Sequence, residues 1–512
     1  MKTNLFSGLL IAGALSLTLF GCSLDDQIRD LQGQIDQLKQ ETADKQKALE
    51  ELIAANKDSN AATQKALEDY INRPVDPDPT FTIVLPDEGV TEVDIYPGEM
   101  RSVSVSGSGL SNIAADLIPA GWGAFYDPQK SALVVSAPAA LFGPVEIGVS
   151  GTSDKGVVYR SFIKLVPAAY DAPQGLFVVN EGMAWGANAT LGSLLFVRPD
   201  RAVAVPNAYF TVNGATFGGV AEDMAECDGK LYVIAQNNAP GADGPLAIFD
   251  GKSLKKIDAY LNEDNTLSMP THVAALDDAN IFIRDNRGIY RYDSTTKKLS
   301  YVEGSDGARK NTMITIGGKV IADNGSSLLV LEKGSDKVTA TLKLDGAISG
   351  LARADADNFY VSYYHGYDSD LGSIALVKAA DLTVTKTNDI KGEQAQPLNY
   401  IFAASSHISA KGDTVYFSGT APKIYRHLFS TGETKEMFDS SSVNPGHPII
   451  YNTATVSPLT GHVFFNSLAG YGALFATNTL YEIDMTGDAG KLVRRYDDYT
   501  RYPAGIFFPF AD

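Results

Sequence analysis

Cysteine is nearly absent from this chain, with Cys22 and Cys227 as the whole supply. A metal site built from cysteines is thereby excluded. Basic clusters are missing as well: 42 Lys and Arg stand against 61 Asp and Glu, giving a net charge of −19. Nucleic-acid binding needs a basic stripe to neutralise phosphates, so that class is excluded too. No apolar run reaches the roughly 18 residues of a spanning helix. Enzyme signatures are absent or broken: there is no G-x-S-x-G and no H-E-x-x-H, and the "GKS" at Gly251 has Leu246 where a P-loop needs its first glycine. The sequence is therefore expected not to be an enzyme and to carry no cofactor.

What is present begins with Lys2, an apolar run from Leu9 to Phe20, and "LFGC". The segment resembles a bacterial lipoprotein signal, which implies cleavage after residue 21 and lipidation of Cys22. With Cys22 so used, Cys227 has no disulfide partner, and in "MAECDG" it reads as a small buried thiol. The "SLDD" that follows Cys22 resembles the surface-export signal of Bacteroidota lipoproteins, implying a lipid-anchored protein exposed outside the outer membrane.

Residues 22–72 form the next segment. Ile28, Leu31, Ile35, Leu38, Leu49, Leu52, Ala66 and Tyr70 share a heptad frame, which predicts a coiled-coil stalk. Thr42, Lys45 and Asn56 weaken the seam, leaving open a homo-oligomeric stalk or an unpaired spacer helix. Helical from 28 to 70, it would reach about 65 Å. The prolines of "NRPVDPDP" end it, and residues 73–80 read as a semi-rigid linker. From 81 to 168, short alternating strands such as "RSVSVS" and "ALVVSA" predict an Ig-like β-sandwich with Trp122 as a core aromatic.

From 174 to 512 the chain repeats. "GLFVVNEG" at 175 has counterparts at 229, 279, 317, 357, 412 and 461, each preceded and followed by another short strand. Four short strands per 40 to 50 residues mark a β-propeller, here with seven blades. The overall fold class is thus mainly β. "PAGIFFPFAD" at the C-terminus has no following copy and is expected to join the blade begun at Gly175, closing the ring.

If the seven copies are second strands, their ends and the loops entering each blade line one face. That places Asn180, Glu181, Trp185, Asn237, Arg284, Asp285, Asn324, Tyr364, His365, Tyr367, His407, His447 and Tyr471 there as candidate ligand-binding residues. Amides, tyrosines and histidines suit a large, flat ligand held by stacking and directed hydrogen bonds. A histidine in this set, or His272 beside it, could ligate a metal within such a ligand, or be an ordinary loop residue.

"GLFVVNEGMAWGANATLGSLLF" and "FGGVAEDMAECDGKLYVIAQNN" resemble the seven-bladed YncE-like propeller lipoproteins of Bacteroidota. Within that group the BtuG-type proteins capture corrinoids for a TonB-dependent outer-membrane transporter. The resemblance implies capture of a corrinoid or related metal chelate and a transporter partner. A glycan- or protein-binding adhesion module and, behind it, a propeller hydrolase built on Glu181, Asp285 and His365 are the competing readings.

Overall fold

The computed structural model describes residues 23–55, 78–85, 92–140, 143–183, 190–366, 369–399 and 408–511. Cys22, Trp185, Tyr367 and His407 lie outside the described residues, as does most of the linker at 73–80. Two compact units are present, 1–78 and 79–512.

In the first unit, Ser23–Ala55 is one α-helix, starting five residues before the first heptad position. Ile28, Leu31 and Leu38 are all about half exposed along it, so the seam is an uncovered apolar stripe. Polar contacts on the other positions hold the helix locally, such as Gln40 donating to Asp44 at 3.0 Å. None of the helices among the described residues is long and apolar enough to cross a membrane.

The second unit opens with a β-sandwich. One sheet orders its strands Thr80–Val84, Met100–Ser108, Ala132–Ser136, Gly123–Asp127; the other runs Glu92–Ile95, Val158–Pro167, Val145–Thr152, Ser111–Asp116. Alternation buries one face of each: Val103, Val105, Leu133 and Val135 meet Val93, Ile147, Val149, Ile163 and Leu165 in one core. Trp122 packs against this core, as the sequence suggested.

Seven four-stranded antiparallel sheets follow. Their inner strands are Pro503–Phe507 for blade one, Gly219–Cys227, His272–Asp277, Ile314–Ile316, Ala347–Arg353, Ile408–Lys411 and Ile449–Val456 for blade seven. Each inner strand touches the next, and the last touches the first, so the sheets form a closed, propeller-like ring. Closure uses the C-terminus: Pro503–Phe507 pairs antiparallel with Leu176–Asn180, with Ile506 opposite Val178 and Phe507 opposite Phe177. The strand "LFVVN" is wholly buried because a neighbouring sheet covers each of its faces.

The sandwich and the ring share a core. Tyr96 and Tyr170 pack on Phe196 of blade one with centroid separations of 5.0 Å each, and Phe196 sits 4.9 Å from Phe177. Arg198 donates to the Tyr96 hydroxyl at 3.2 Å, and Arg201 pairs with Asp94. Gly175 is required here, since a Cβ would come within 2.7 Å of the Phe196 ring. The segment between the two domains is therefore a packed joint.

Candidate functional site

In each blade the loop after the second strand and the loop into the next blade open on the same face. The sequence places acids in the innermost positions there. Blade two begins "GGVAEDMAEC", and a bulge between Ala221 and Asp223 breaks the pairing register at Glu222. Bulges re-aim a side chain. Val220 stands at φ 59, a conformation that costs a β-branched residue energy and that the surrounding structure must enforce. Blade seven is irregular between Tyr451 and Thr455, with Asn452 also at φ 59. Tyr502, before the inner strand of blade one, has φ 48.

These three distortions surround one cluster. The Lys310 ammonium, from the loop entering blade four, donates to Glu222 at 2.7 Å, and Gln236 donates to the same carboxylate oxygen. Glu222 is 1% exposed, and its other oxygen has no hydrogen-bond partner among the described residues. Glu181 accepts from the Tyr451 hydroxyl at 2.8 Å. Burial, reinforced by the Glu222 charge, pushes the Glu181 carboxyl up to about 8, against the opposing Tyr451 hydrogen bond and Lys310. Burial likewise raises Asp223 to about 8; it accepts from the Val273 amide at 3.1 Å.

Above Glu181 stand three tyrosines. Tyr451 and Tyr502 rings are 5.4 Å apart, Tyr471 lies 6.4 Å from Tyr451 and 6.3 Å from Tyr502, and Tyr471 is 55% exposed. The Gly472 amide donates to the Tyr502 hydroxyl at 2.7 Å, fixing the loop that carries Tyr471. Gly182 follows Glu181 at φ 77, where a Cβ would sit 2.6 Å from the Leu191 carbonyl. Only glycine lets the chain turn there, and Met183 beyond it bridges Thr190. The arrangement can stack a flat or ring-shaped ligand on aromatic faces and offer it carboxyl, amide and ammonium groups beneath.

Of the expected residues, Glu181 and Tyr471 meet in this cluster. Several others are engaged by the protein itself and lie outside this cluster. Asp285 is 0% exposed and accepts from the amides of Ser268 at 2.8 Å, Arg287 at 2.7 Å and Gly288 at 3.1 Å, so it shapes its own turn. Asn180 is buried and accepts from the Arg501 amide at 2.8 Å, stitching the closure. Arg284 donates to the Ala308 carbonyl at 2.9 Å and to Thr271 at 3.0 Å, and burial lowers its pKa. Tyr364 is buried within blade five. Asn324 donates to the Asp306 carbonyl at 3.2 Å, and Asn237 is exposed at the end of its strand.

Among the described residues, the candidate histidines have separate partners. His365 pairs with Ser373 at 3.0 Å, His447 with Thr479 at 3.0 Å, and buried His272 with Thr271 at 2.9 Å. Burial lowers the His447 pKa. Among the described residues, no three His, Cys, Asp or Glu side chains gather as metal ligands. Cys227 is half-buried, with its thiol pushed up to about 11 by burial.

Sequence reading missed Glu222 and Lys310. A signal for Glu222 existed: two adjacent acids inside an otherwise apolar inner strand are costly unless bonded or functional. Lys310, in "GARKNT", offered none.

Residues 174–509 match the family model described as a domain of unknown function, DUF5074. The chain belongs to that family. The match spans the seven-bladed ring and leaves the sandwich outside. No curated protein matches the DUF5074 chain. Among solved structures, a quinoprotein alcohol dehydrogenase-like protein from Bacteroides thetaiotaomicron is 14% identical, with 82% of this chain and 98% of that chain covered and a TM-score of 0.49. A 6-phosphogluconolactonase candidate from Bacteroides uniformis is 10% identical, covering 65% of this chain and 99% of that chain, with a TM-score of 0.43. PorZ, a surface component of the type-IX secretion system of Porphyromonas gingivalis, is 11% identical over 53% of this chain and 37% of its own, with a TM-score of 0.33. At this level of likeness none of them speaks to ligand or activity.

Proposed function

We propose that this DUF5074 protein is a lipid-anchored surface protein that captures a small ligand at the tyrosine-rimmed mouth of the ring and performs no chemistry on it. The observation that carries the reading is the Tyr451–Tyr471–Tyr502 group standing over Glu181, with buried Glu222 and its half-buried partner Lys310 close by. Stacking on such rings is tolerant of ligand identity, while the buried carboxyls and the lysine supply direction. A corrinoid or another planar metal chelate is the ligand class favoured by the sequence resemblance, with delivery to a TonB-dependent transporter as the downstream step. A glycan is the second reading, favoured by the openness of Tyr471, since an exposed aromatic face packs well on a sugar ring.

The test is to mix residues 79–512, a compact unit, with cobinamide, cyanocobalamin, haem or a ferric catecholate, desalt, and read the visible spectrum. Stoichiometric colour that disappears in Tyr471→Ala supports capture and identifies the cargo class. A folded protein that retains none of the four removes metal chelates from consideration and moves the glycan reading to glycan arrays.

A further inference from the structure

The helix Ser23–Ala55 leaves an apolar stripe uncovered, and the width of that stripe indicates what fits it. Leu24, Ile28, Leu31, Ile35 and Leu38 recur at alternating spacings of four and three, so they hold the two inward positions of successive heptads. The positions flanking them are Gln27, Gln34 and Glu41 on one side and Gln32, Lys39 and Gln46 on the other. A helix laid on a globular surface has a wider stripe, with one flank apolar as well. Here both flanks are polar from Gln27 to Gln46, which is the narrow seam of one helix against another of its kind. Ile28, Leu31 and Leu38 stand about half exposed along it.

Charge sets the orientation. In a parallel, in-register pair, Gln34 faces Lys39 and Glu41 faces Gln46 of the second copy, so no like charges oppose one another. Turned antiparallel with full overlap, the same helices would set Lys39 against Lys39 and Glu41 against Glu41 near the midpoint, where both pairs repel. Composition sets the number of chains: β-branched Ile28 and Ile35 at one inward position, with Leu31 and Leu38 at the other, is the combination that favours two strands. Two polar layers follow. The Thr42 hydroxyl donates to the Leu38 carbonyl at 2.7 Å, so its polar group is satisfied within its own helix. Lys45 carries its ammonium out of the seam on a long apolar stem, at a cost in stability. That layer also fixes the register, since a slip of one heptad would set each Lys45 against a leucine, Leu38 or Leu52.

We infer that Ser23–Ala55 is a docking surface for a second copy of this chain, two stalk helices winding into a parallel, in-register coiled coil through Leu24, Ile28, Leu31, Ile35 and Leu38. Each assembly then carries two rings.

The test has two arms. The chain from residue 22 onward, with Cys22→Ser to keep it free of lipid, is followed by sedimentation equilibrium over a concentration series, beside Leu31→Asp, Leu38→Asp and Lys45→Leu. The expected result is a monomer–dimer equilibrium, weakened at least ten-fold by either aspartate and tightened roughly ten-fold by Lys45→Leu. All four proteins should share one melting transition for the unit 79–512, which contains none of the substitutions. In the second arm, single cysteines are placed in the full chain and oxidised in the membrane, with the parent chain giving the background due to Cys227. Leu31→Cys and Leu38→Cys, in the seam, should give a two-chain band without reductant; Gly33→Cys and Gln40→Cys, on the far face, should not. A mass of one chain or of three at every concentration, no tightening by Lys45→Leu, or equal cross-linking at seam and far-face positions would overturn the inference.

Discussion

The two ends of the ring axis are built from the same strands and end in opposite chemistry. At one mouth, inner-strand bulges and positive φ angles at Val220 and Asn452 bring Glu222 and Tyr451 together with Glu181 and Lys310. At the other, aliphatic side chains surround a cavity with Arg353 and Lys411 at its edge. Regular repetition thus yields an apolar opening, and departures from regularity yield a polar one. Polar groups gathered at such cost to the backbone are an expected mark of function, whereas an apolar opening is what the fold makes by default.

The comparison presupposes a closed ring, so the largest effect is expected from opening it. Deleting residues 503–512 removes the inner strand of blade one and exposes Leu176, Phe177, Val178 and Val179 along an unpaired edge. The product should fail to give a cooperative melting transition. Next in size is the joint: Phe196→Ala should cost about 3–5 kcal/mol, measured by denaturant unfolding, because Phe196 touches Tyr96, Tyr170 and Phe177. At the polar mouth, Lys310→Met leaves Glu222 buried without its cation and should cost about 2–3 kcal/mol by the same measurement. An equal loss from a regular aliphatic position at the other mouth would blunt the contrast between the ends.

A smaller effect distinguishes the ends by pH. Glu181 holds its proton to about pH 8 in the native protein and to about pH 4.5 when unfolded. Native Glu181 therefore binds more protons through that window, and the stability it contributes falls as pH rises from about 4.5 to 8. Glu181→Gln should flatten that part of the stability–pH curve, read from melts at pH 5 and pH 8. The smallest effect on stability belongs to Tyr471→Ala, within about 0.5 kcal/mol because the side chain is exposed. Its consequence should appear in ligand retention.

Much of this architecture was legible in the sequence because repetition is visible there. The recurring second strand and the orphan "PAGIFFPFAD" marked the blades and their closure, and strand alternation marked the sandwich. The site was legible only in outline. Topology brings the second-strand ends to one face, and Glu181 and Tyr471 fall in the cluster there, but loop polarity does not reveal which side chains turn inward. Asp285 and Asn180 are polar because buried backbone needs partners, and a sequence does not separate that demand from ligand binding. For Glu222 the paired acids in an apolar strand were a signal, but its direction was not legible, since a bulge sets it and bulges leave no fixed residue signature. The sandwich was placed at 81–168 and the ring from 174, with no sign in the sequence that Tyr170 between them would be 1% exposed in a packed joint.

The most direct test of the account is retention of coloured ligand by the wild-type unit 79–512 and by Tyr471→Ala and Tyr502→Ala, compared at equal concentration after desalting. The account predicts one ligand per chain for the wild type and at least ten-fold less for both variants, with Tyr471→Ala melting as the wild type does. Retention that is unchanged in both variants, with native melting throughout, would contradict the placement of the capture site at the tyrosine-rimmed mouth.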